Sequence, residues 1–188
     1  MNQFLNTFFG FLLISSAAWA DHAPWQNPQI NEINREPIHA HFIPYTNETN
    51  ALHQQALPPS ERFFVNPTAE RRITLNGTWK FLYARNETLC PDNFHQTDYN
   101  TRPWKHINVP GSWELQGFDA PIYTDVSYPF PVNPPYVPTD YNPVGAYVRE
   151  FTVPAHWDGM DIFLDFEGVE SAFYCWVNGQ LVGYSEDS

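Results

Sequence analysis

The chain has 188 residues, which is enough for one domain of ordinary size with a hydrophobic core. Its 18 prolines argue against an all-helical protein, and 17 % aromatic residues favour short strands joined by ordered loops. A net charge of −12 opposes nucleic-acid binding and attraction to an anionic membrane surface, so a neutral small molecule or another protein is the expected partner.

The first 20 residues have the pattern of a secretory signal peptide. An almost wholly apolar run from Phe8 to Ala20 ends in Ala18-Trp19-Ala20, an A-x-A cleavage pattern. No Lys or Arg precedes this run, but it is too short for the roughly 20 residues that a membrane-spanning helix needs. We therefore expect cleavage before Asp21 and a secreted or periplasmic protein.

Residues 21–70 are predicted to form an irregular N-terminal arm. The segment contains seven prolines and no sustained hydrophobic period. Its apolar residues, among them Trp25 and Phe42, favour an arm that wraps over a neighbouring surface. His39 and His41 have the spacing of paired metal ligands, but no further ligand pattern accompanies them, so no metal site is predicted.

Residues 71–188 have the pattern of a β-domain. Strand pattern is found in Ile73–Ala84, which has an Asn76-Gly77 turn signal inside it, and strands are expected at His106–Val109, Ala146–Val153, Asp161–Phe166, Ser171–Val177 and Gln180–Tyr184. Asn178-Gly179 joins the last two, and it is a strong hairpin signal because both central residues of that turn need positive φ. No internal repeat and no convincing amphipathic helix accompany these strands.

These strands predict an all-β fold, a jelly-roll β-sandwich. A jelly roll needs about eight strands, whereas five or six are recognisable here, and the last hairpin ends close to Ser188. A sheet that stopped there would leave an unpaired edge. Residues 71–188 are therefore expected to be the N-terminal part of a jelly-roll domain that is incomplete at its C-terminus.

Two further features leave alternatives open. Cys90 and Cys175 could pair in an oxidising compartment, but nothing in the sequence brings them together. The loop Pro110–Pro143 is far longer than the usual connection, and loops of that length are generally functional or disordered. Its prolines and aromatic residues favour an ordered, functional loop.

This loop resembles the β-galactosidases of glycoside hydrolase family two. Residues 111–138 read GSWELQGFDAPIYTDVSYPFPVNPPYVP, a run that is similar to the family's and ends with its VNPP tetrad. Trp25–Pro28, Leu75–Trp79, Phe166–Val169 and Val177–Gly179 match the family on both sides of the loop. The ordered set is specific and extends over nearly the whole mature chain, whereas LNGTW alone occurs in other sugar hydrolases. The resemblance implies a galactose-binding-domain-like jelly roll.

The resemblance also implies a substrate-binding role for Asn133, the asparagine of the tetrad, which in the family hydrogen-bonds the galactosyl unit. An amide offers a donor and an acceptor at once, which suits a sugar hydroxyl. Pro131, Pro134 and Pro135 stiffen the backbone around it and reduce the entropy lost on binding. Taken without the resemblance, the residues favour an asparagine that caps a turn.

Catalysis in the family depends on two glutamates of a TIM barrel, and glycoside hydrolysis in general needs two carboxyl groups across the scissile bond. The carboxylates considered for such a pair are Glu114, Asp119, Glu167, Glu170, Glu186 and Asp187. None has a partner that the sequence holds at a fixed distance. No catalytic residue is therefore predicted, and this chain alone is expected to be inactive.

The full-length protein that the resemblance implies is an exported, retaining β-galactosidase that hydrolyses terminal β-D-galactosides of the lactose type. Mg²⁺ and Na⁺ are implied for that protein, with ligands outside this chain, which is expected to bind no cofactor. A homotetramer is also implied, with the arm contributing to subunit contacts. Two alternatives stay open: a stand-alone carbohydrate-binding module without hydrolase activity, and a related hydrolase of glucuronides or mannosides, against which VNPPYVP argues.

Overall fold

The computed structural model describes residues 23–40, 42–58, 68–69, 71–122 and 130–186; the predicted signal peptide lies outside them. In chain order the elements are β1 (Glu32–Ile33), α1 (Glu48–Gln55), β2 (Thr68–Ala69), β3 (Arg72–Ile73), β4 (Gly77–Ala84), β5 (Lys105–Val109), β6 (Val144–Val148), β7 (Ala172–Val177) and β8 (Gln180–Glu186). Single 3₁₀ turns occur at Pro24–Gln26, Glu87–Leu89, Glu114–Gln116 and Ala155–Trp157. In the described part of the chain, no helix is long and apolar enough to cross a membrane.

The strands form antiparallel sheets, and α1 is the one α-helix among the described residues. One three-stranded sheet has the order β5-β4-β6, a second has the order β1-β8-β7, and β2 pairs with β3. Every described pairing is antiparallel. The predicted all-β class is therefore confirmed, and two antiparallel sheets with one short helix agree with a β-sandwich domain.

Strand β4 is the central strand of its sheet because it pairs with β5 on one side and with β6 on the other. Its side chains pack against those of both neighbours. Phe81 is 1 % exposed and lies opposite Tyr147 of β6, with ring centroids 4.7 Å apart. Two residues earlier, Trp79 lies opposite Ile107 of β5, which is 2 % exposed. Burying one such side chain stabilises a fold by about 1.5–3 kcal/mol, so this aromatic face of the sheet is a main part of the core.

The β7–β8 hairpin forms at the predicted place. Asn178 and Gly179 have φ values of 50° and 81°, as a two-residue turn between twisted strands requires. Tyr184 of β8 is 2 % exposed and packs on Tyr174 of β7 with ring centroids 4.6 Å apart. Trp176 of β7 reaches Phe94, which precedes β5, at 5.6 Å, and this contact links the two larger sheets.

Two of the predicted strands differ from the structure. The strand expected at Ala146–Val153 ends at Val148. The strand expected at Asp161–Phe166 is wrong: these residues form no strand, and Ile162, Leu164 and Phe166 are 50 %, 36 % and 45 % exposed. Alternation shows that a segment could bury one face, but a strand also needs a neighbour to accept its backbone hydrogen bonds, and no described strand pairs with this segment.

Residues 32–35 of the predicted arm lie along β8. β1 pairs with β8 through Glu32 and Ile33, and the Asn34 side chain donates to the Val182 carbonyl at 2.7 Å. Arg35 adds a hydrogen bond to the Ser185 hydroxyl at 3.0 Å. Helix α1 begins after its N-cap residue Asn47 and has no buried residue. It therefore needs no apolar stripe, and its sequence shows no amphipathic pattern. The domain boundaries at residues 20 and 70 stay a prediction.

Both cysteines are free thiols. Cys90 and Cys175 are half-buried, and burial raises the pKa of each thiol above its ordinary value. The acids Asp92 and Glu87 add to this effect on the pKa of Cys90. Raised pKa values disfavour the reactive thiolate, so both side chains serve as small apolar packing groups.

Candidate functional site

The long loop after β5 begins with a limb that is tied to the main chain of that strand. We call residues 110–119 the outgoing limb and residues 130–143 the return limb. The Gln116 amide accepts from the Asn108 N–H at 2.8 Å and donates to the Asn108 carbonyl at 3.0 Å. A Cβ at Gly111 would lie 2.8 Å from the Gln116 amide nitrogen, so only glycine permits this approach.

Aromatic side chains of the outgoing limb cover the aromatic face of the β5-β4-β6 sheet. Phe118 meets the Phe81 ring edge-on at 4.6 Å, and Trp113 lies 6.0 Å from Phe81 and 5.9 Å from Tyr83. Gly145 of β6 lies directly beneath the Trp113 ring, where an added Cβ would come within 2.6 Å of a ring carbon. The limb is therefore packed on the core rather than suspended in solvent.

The return limb is held by the residues that follow β4. The Asn86 side chain donates to the Asp140 carbonyl at 3.3 Å, and the Asn142 N–H donates to the Arg85 carbonyl at 3.1 Å. The Arg85 guanidinium lies 5.2 Å from the centre of the Tyr141 ring, within the range of a cation–π contact. The return limb is thus fixed to the residues at the C-terminal end of β4.

Asp119 joins the two limbs. One of its carboxylate oxygens, Oδ2, accepts from the Tyr83 hydroxyl at 2.5 Å and from the Tyr141 hydroxyl at 2.9 Å. Partial desolvation raises the pKa of this carboxyl, but the hydrogen bonds from Tyr83, the Ala120 backbone and Tyr141 outweigh it and hold the pKa below its ordinary value. Burial and the Asp119 carboxylate raise the pKa of Tyr83, which therefore stays a neutral donor.

Asn133 is exposed on the return limb, in the segment that bears the VNPP tetrad. Its carbonyl accepts from the Tyr136 N–H at 2.8 Å and closes a turn whose central residues are Pro134 and Pro135. Among the described residues, no hydrogen bond engages the Asn133 side-chain amide, so the turn uses its backbone alone. The amide can therefore serve a ligand, and its substrate-binding role stays a prediction.

The structure does not bring the remaining carboxylates together as a site. Ser112 donates to Glu114, Arg72 pairs with Glu167 at 3.0 Å, and Tyr184 donates to Glu186 at 2.5 Å. Glu170 is exposed on the surface, and Asp187 lies outside the described residues. Each of the other four carboxylates is engaged by a hydrogen bond or an ion pair, which is the ordinary role of a structural acid; they are Glu114, Asp119, Glu167 and Glu186.

The sequence did not indicate that Asp119 would meet two tyrosines. Tyr83 is 36 residues away and Tyr141 is 22 residues away, so only the folded chain brings the three together. A faint signal did exist, since Asp is one of the few residues that tolerate positive φ, and Asp119 has φ 61°.

No metal-ligand set is present in the part of the chain that the structure describes: no three His, Cys, Asp or Glu side chains lie close enough to hold an ion. His39 bonds the Ala40 carbonyl at 2.9 Å and packs against Phe42 at 5.3 Å; His41 lies outside that part. That this chain binds no cofactor stays a prediction.

Comparison with known proteins assigns the fold and the loop to a family. Residues 73–188 match the domain described as glycosyl hydrolases family 2, sugar binding domain. The chain is 42 % identical over 166 residues to a β-galactosidase of Priestia megaterium, covering 86 % of this chain and 15 % of that protein. It is 44 % identical over 167 residues to one of Leuconostoc mesenteroides subsp. mesenteroides, covering 87 % and 14 %. A third, from Halalkalibacterium halodurans, is 39 % identical over 160 residues, covering 83 % and 15 %. The chain spans about one-seventh of the length of these relatives, and it belongs to glycosyl hydrolase family 2, whose sugar-binding domain it carries.

Proposed function

We propose that this chain is the N-terminal part of an exported, retaining β-galactosidase acting on terminal β-D-galactosides, to which it contributes a scaffold and one substrate contact. Family membership and relatives named β-galactosidase at 39–44 % identity support this proposal. The structural observation that carries it is the Asn133 amide, which is exposed on a loop whose outgoing limb is tied to β4 and whose return limb is tied to a residue just after β4.

Asn133 fits the task of holding a sugar hydroxyl. Its side chain can donate through Nδ2 and accept through Oδ1, so it can orient a hydroxyl group in either sense. The turn beneath it is closed by the Tyr136 N–H and contains two prolines, which leaves little backbone freedom to lose on binding. One such hydrogen bond contributes about 0.5–1.5 kcal/mol to binding, which corresponds to about a 2- to 13-fold change in affinity.

The bond-breaking chemistry of the proposed enzyme belongs to residues outside these 188. Retention of configuration requires a carboxylate nucleophile and a carboxylic acid across the scissile bond, with a covalent galactosyl–enzyme between two displacements. The Mg²⁺, the Na⁺ and the tetramer that the resemblance implies belong to the same full-length protein. The role of this chain is to place Asn133 against the galactosyl unit.

The test uses the full-length protein with nitrophenyl β-D-galactoside. We expect hydrolysis whose first-formed sugar, followed by proton NMR, is β-galactose. Asn133→Ala is expected to lower kcat/KM by about 2- to 13-fold, whereas Asn76→Ala, which removes an exposed side-chain amide outside both limbs, leaves it unchanged. Equal effects of the two variants would contradict the assigned contact.

The export and the alternative function have their own readouts. N-terminal sequencing of the protein recovered outside the cytoplasm is expected to begin at Asp21. A stand-alone carbohydrate-binding module would instead show galactose binding in a calorimetric titration with no turnover of any galactoside. Turnover of glucuronides or mannosides in preference to galactosides would favour the other alternative, a related hydrolase of those sugars.

A further inference from the structure

The carboxylate of Asp119 lies where β4 and both limbs of the loop meet. Tyr83 belongs to β4, Asp119 ends the outgoing limb and Tyr141 belongs to the return limb. A single oxygen atom therefore holds two hydroxyl groups whose residues are 58 positions apart in the chain, at 2.5 Å and 2.9 Å. Asp119 also adopts φ 61°, a conformation that few residues other than glycine accept.

We propose that Asp119 is a positioning residue for Asn133: by holding Tyr83 and Tyr141 together it fixes the base of the loop and hence the place of the Asn133 amide. This inference rests on the proposed function, since it assigns Asp119 no contact with substrate. Asn133 lies within the 22-residue span from Asp119 to Tyr141. Opening the tie at Asp119 removes the link between the two ends of that span, so the return limb, and with it the Asn133 amide, becomes more mobile.

Several contacts make this tie stronger than an ordinary surface hydrogen bond. The acceptor is ionised at neutral pH, since its pKa is lowered, and hydrogen bonds to a charged acceptor are stronger than neutral ones. The Tyr141 ring is held from its other side by Arg85 at 5.2 Å. Tyr83 cannot withdraw, because its ring packs against Trp113 on the rigid sheet.

The exposed position of Asp119 argues against a role in general stability. Its carboxylate faces solvent, so its removal leaves no buried charge and no cavity. Trp113, Phe118 and Gln116 already fix the outgoing limb without it. What Asp119 adds is the connection to Tyr141, and that connection bears on the segment that contains Asn133.

A double-mutant cycle in the full-length protein tests the inference. Asp119→Ala is expected to lower kcat/KM on nitrophenyl β-D-galactoside by about three- to tenfold, and Asp119→Asn by less, because an amide oxygen still accepts and Asn also tolerates positive φ. In the Asn133→Ala background, Asp119→Ala is expected to cause almost no further loss, because the contact it serves is already gone. Asp140→Ala, which removes a neighbouring exposed carboxylate, is the matched control and should leave kcat/KM unchanged.

Hydrogen exchange without substrate provides an independent readout. Asp119→Ala is expected to speed amide exchange in peptides covering residues 130–143, while β4 and β5 exchange as in the unsubstituted protein. Losses that add fully in the double variant, or a return limb that exchanges at an unchanged rate, would overturn the inference. A protein that cleaves no galactoside would refute the proposed function instead, and the exchange measurement would still decide whether Asp119 ties the limbs.

Discussion

Gly145 offers a sharp test of how the outgoing limb is packed on the sheet. A Cβ added at this residue would lie 2.6 Å and 2.9 Å from two carbons of the Trp113 ring and 2.8 Å from a carbon of the Phe81 ring. Unstrained carbon–carbon contacts are about 3.5–4.0 Å. Gly145→Ala therefore forces at least one of these rings to move by roughly an ångström.

The Phe81 ring has little room to move. Phe81 is 1 % exposed and is held by Phe118 and Tyr147, whose ring centroids lie 4.6 Å and 4.7 Å away. Inserting a methyl group into such a core lowers the free energy of unfolding by about 1–3 kcal/mol, whereas replacing a strand glycine by alanine raises it by about 0.5–1 kcal/mol. Taking the middle of each range, the net destabilisation is expected to be about 1.25 kcal/mol, or about an eightfold increase in the opening equilibrium of the sheet.

Hydrogen exchange of β4 and β6 peptides, read by mass spectrometry, measures this opening directly. Gly168→Ala makes the same chemical change where no atom lies within 4 Å of the new Cβ and where φ is not positive. That control is expected to leave β4 and β6 exchange unchanged. If Gly145→Ala also left it unchanged, Trp113 would not be fixed over β6, and the described packing of the limb would be refuted.

Three further outcomes are expected in the purified protein. Phe81→Ala should lower the free energy of unfolding of the sheet by about 3–5 kcal/mol, measured as faster exchange in β4. Gln116→Ala should cost about 1–2 kcal/mol, because both bonds to the Asn108 main chain are lost, and should speed thermolysin cleavage of the outgoing limb. Burial and, to a smaller extent, the nearby Glu114 carboxylate raise the pKa of Tyr147 to about 12. The stability that its neutral phenol contributes is therefore fully present below pH 10 and is lost as the pH rises toward 12. Tyrosinate absorbance during alkaline unfolding checks this, with Tyr147→Phe as the comparison.

The hairpin and the central strand could be predicted from the sequence because local chemistry determines them. Asn178-Gly179 tolerates the positive φ of its turn, and the structure has φ 50° and 81° there. The aromatic alternation of Trp79 and Phe81 needs no distant information either, and β4 forms where it was expected. In both cases, the residues that set the conformation are neighbours in the chain.

Elements that depend on distant partners could not be predicted in the same way. The alternation at Asp161–Phe166 indicated a strand, yet no described strand pairs with it. Helix α1 was missed because it buries no residue and so carries no apolar stripe, although Asn47 accepts from the Asn50 N–H at 2.9 Å as an N-cap. The candidate site divides likewise: Asn133 was recognisable from its loop, whereas the tie at Asp119 was not.

The pairing of β1 with β8 has a practical consequence for expression. β1 covers a row of backbone hydrogen-bonding groups on β8 that would otherwise face solvent, and Asn34 and Arg35 fasten it there. An uncovered strand of this kind is a template for pairing with another molecule. A shortened gene that begins after Arg35 would produce a protein with an unpaired, aggregation-prone edge at β8, whereas one that retains residues 23–35 keeps that edge paired.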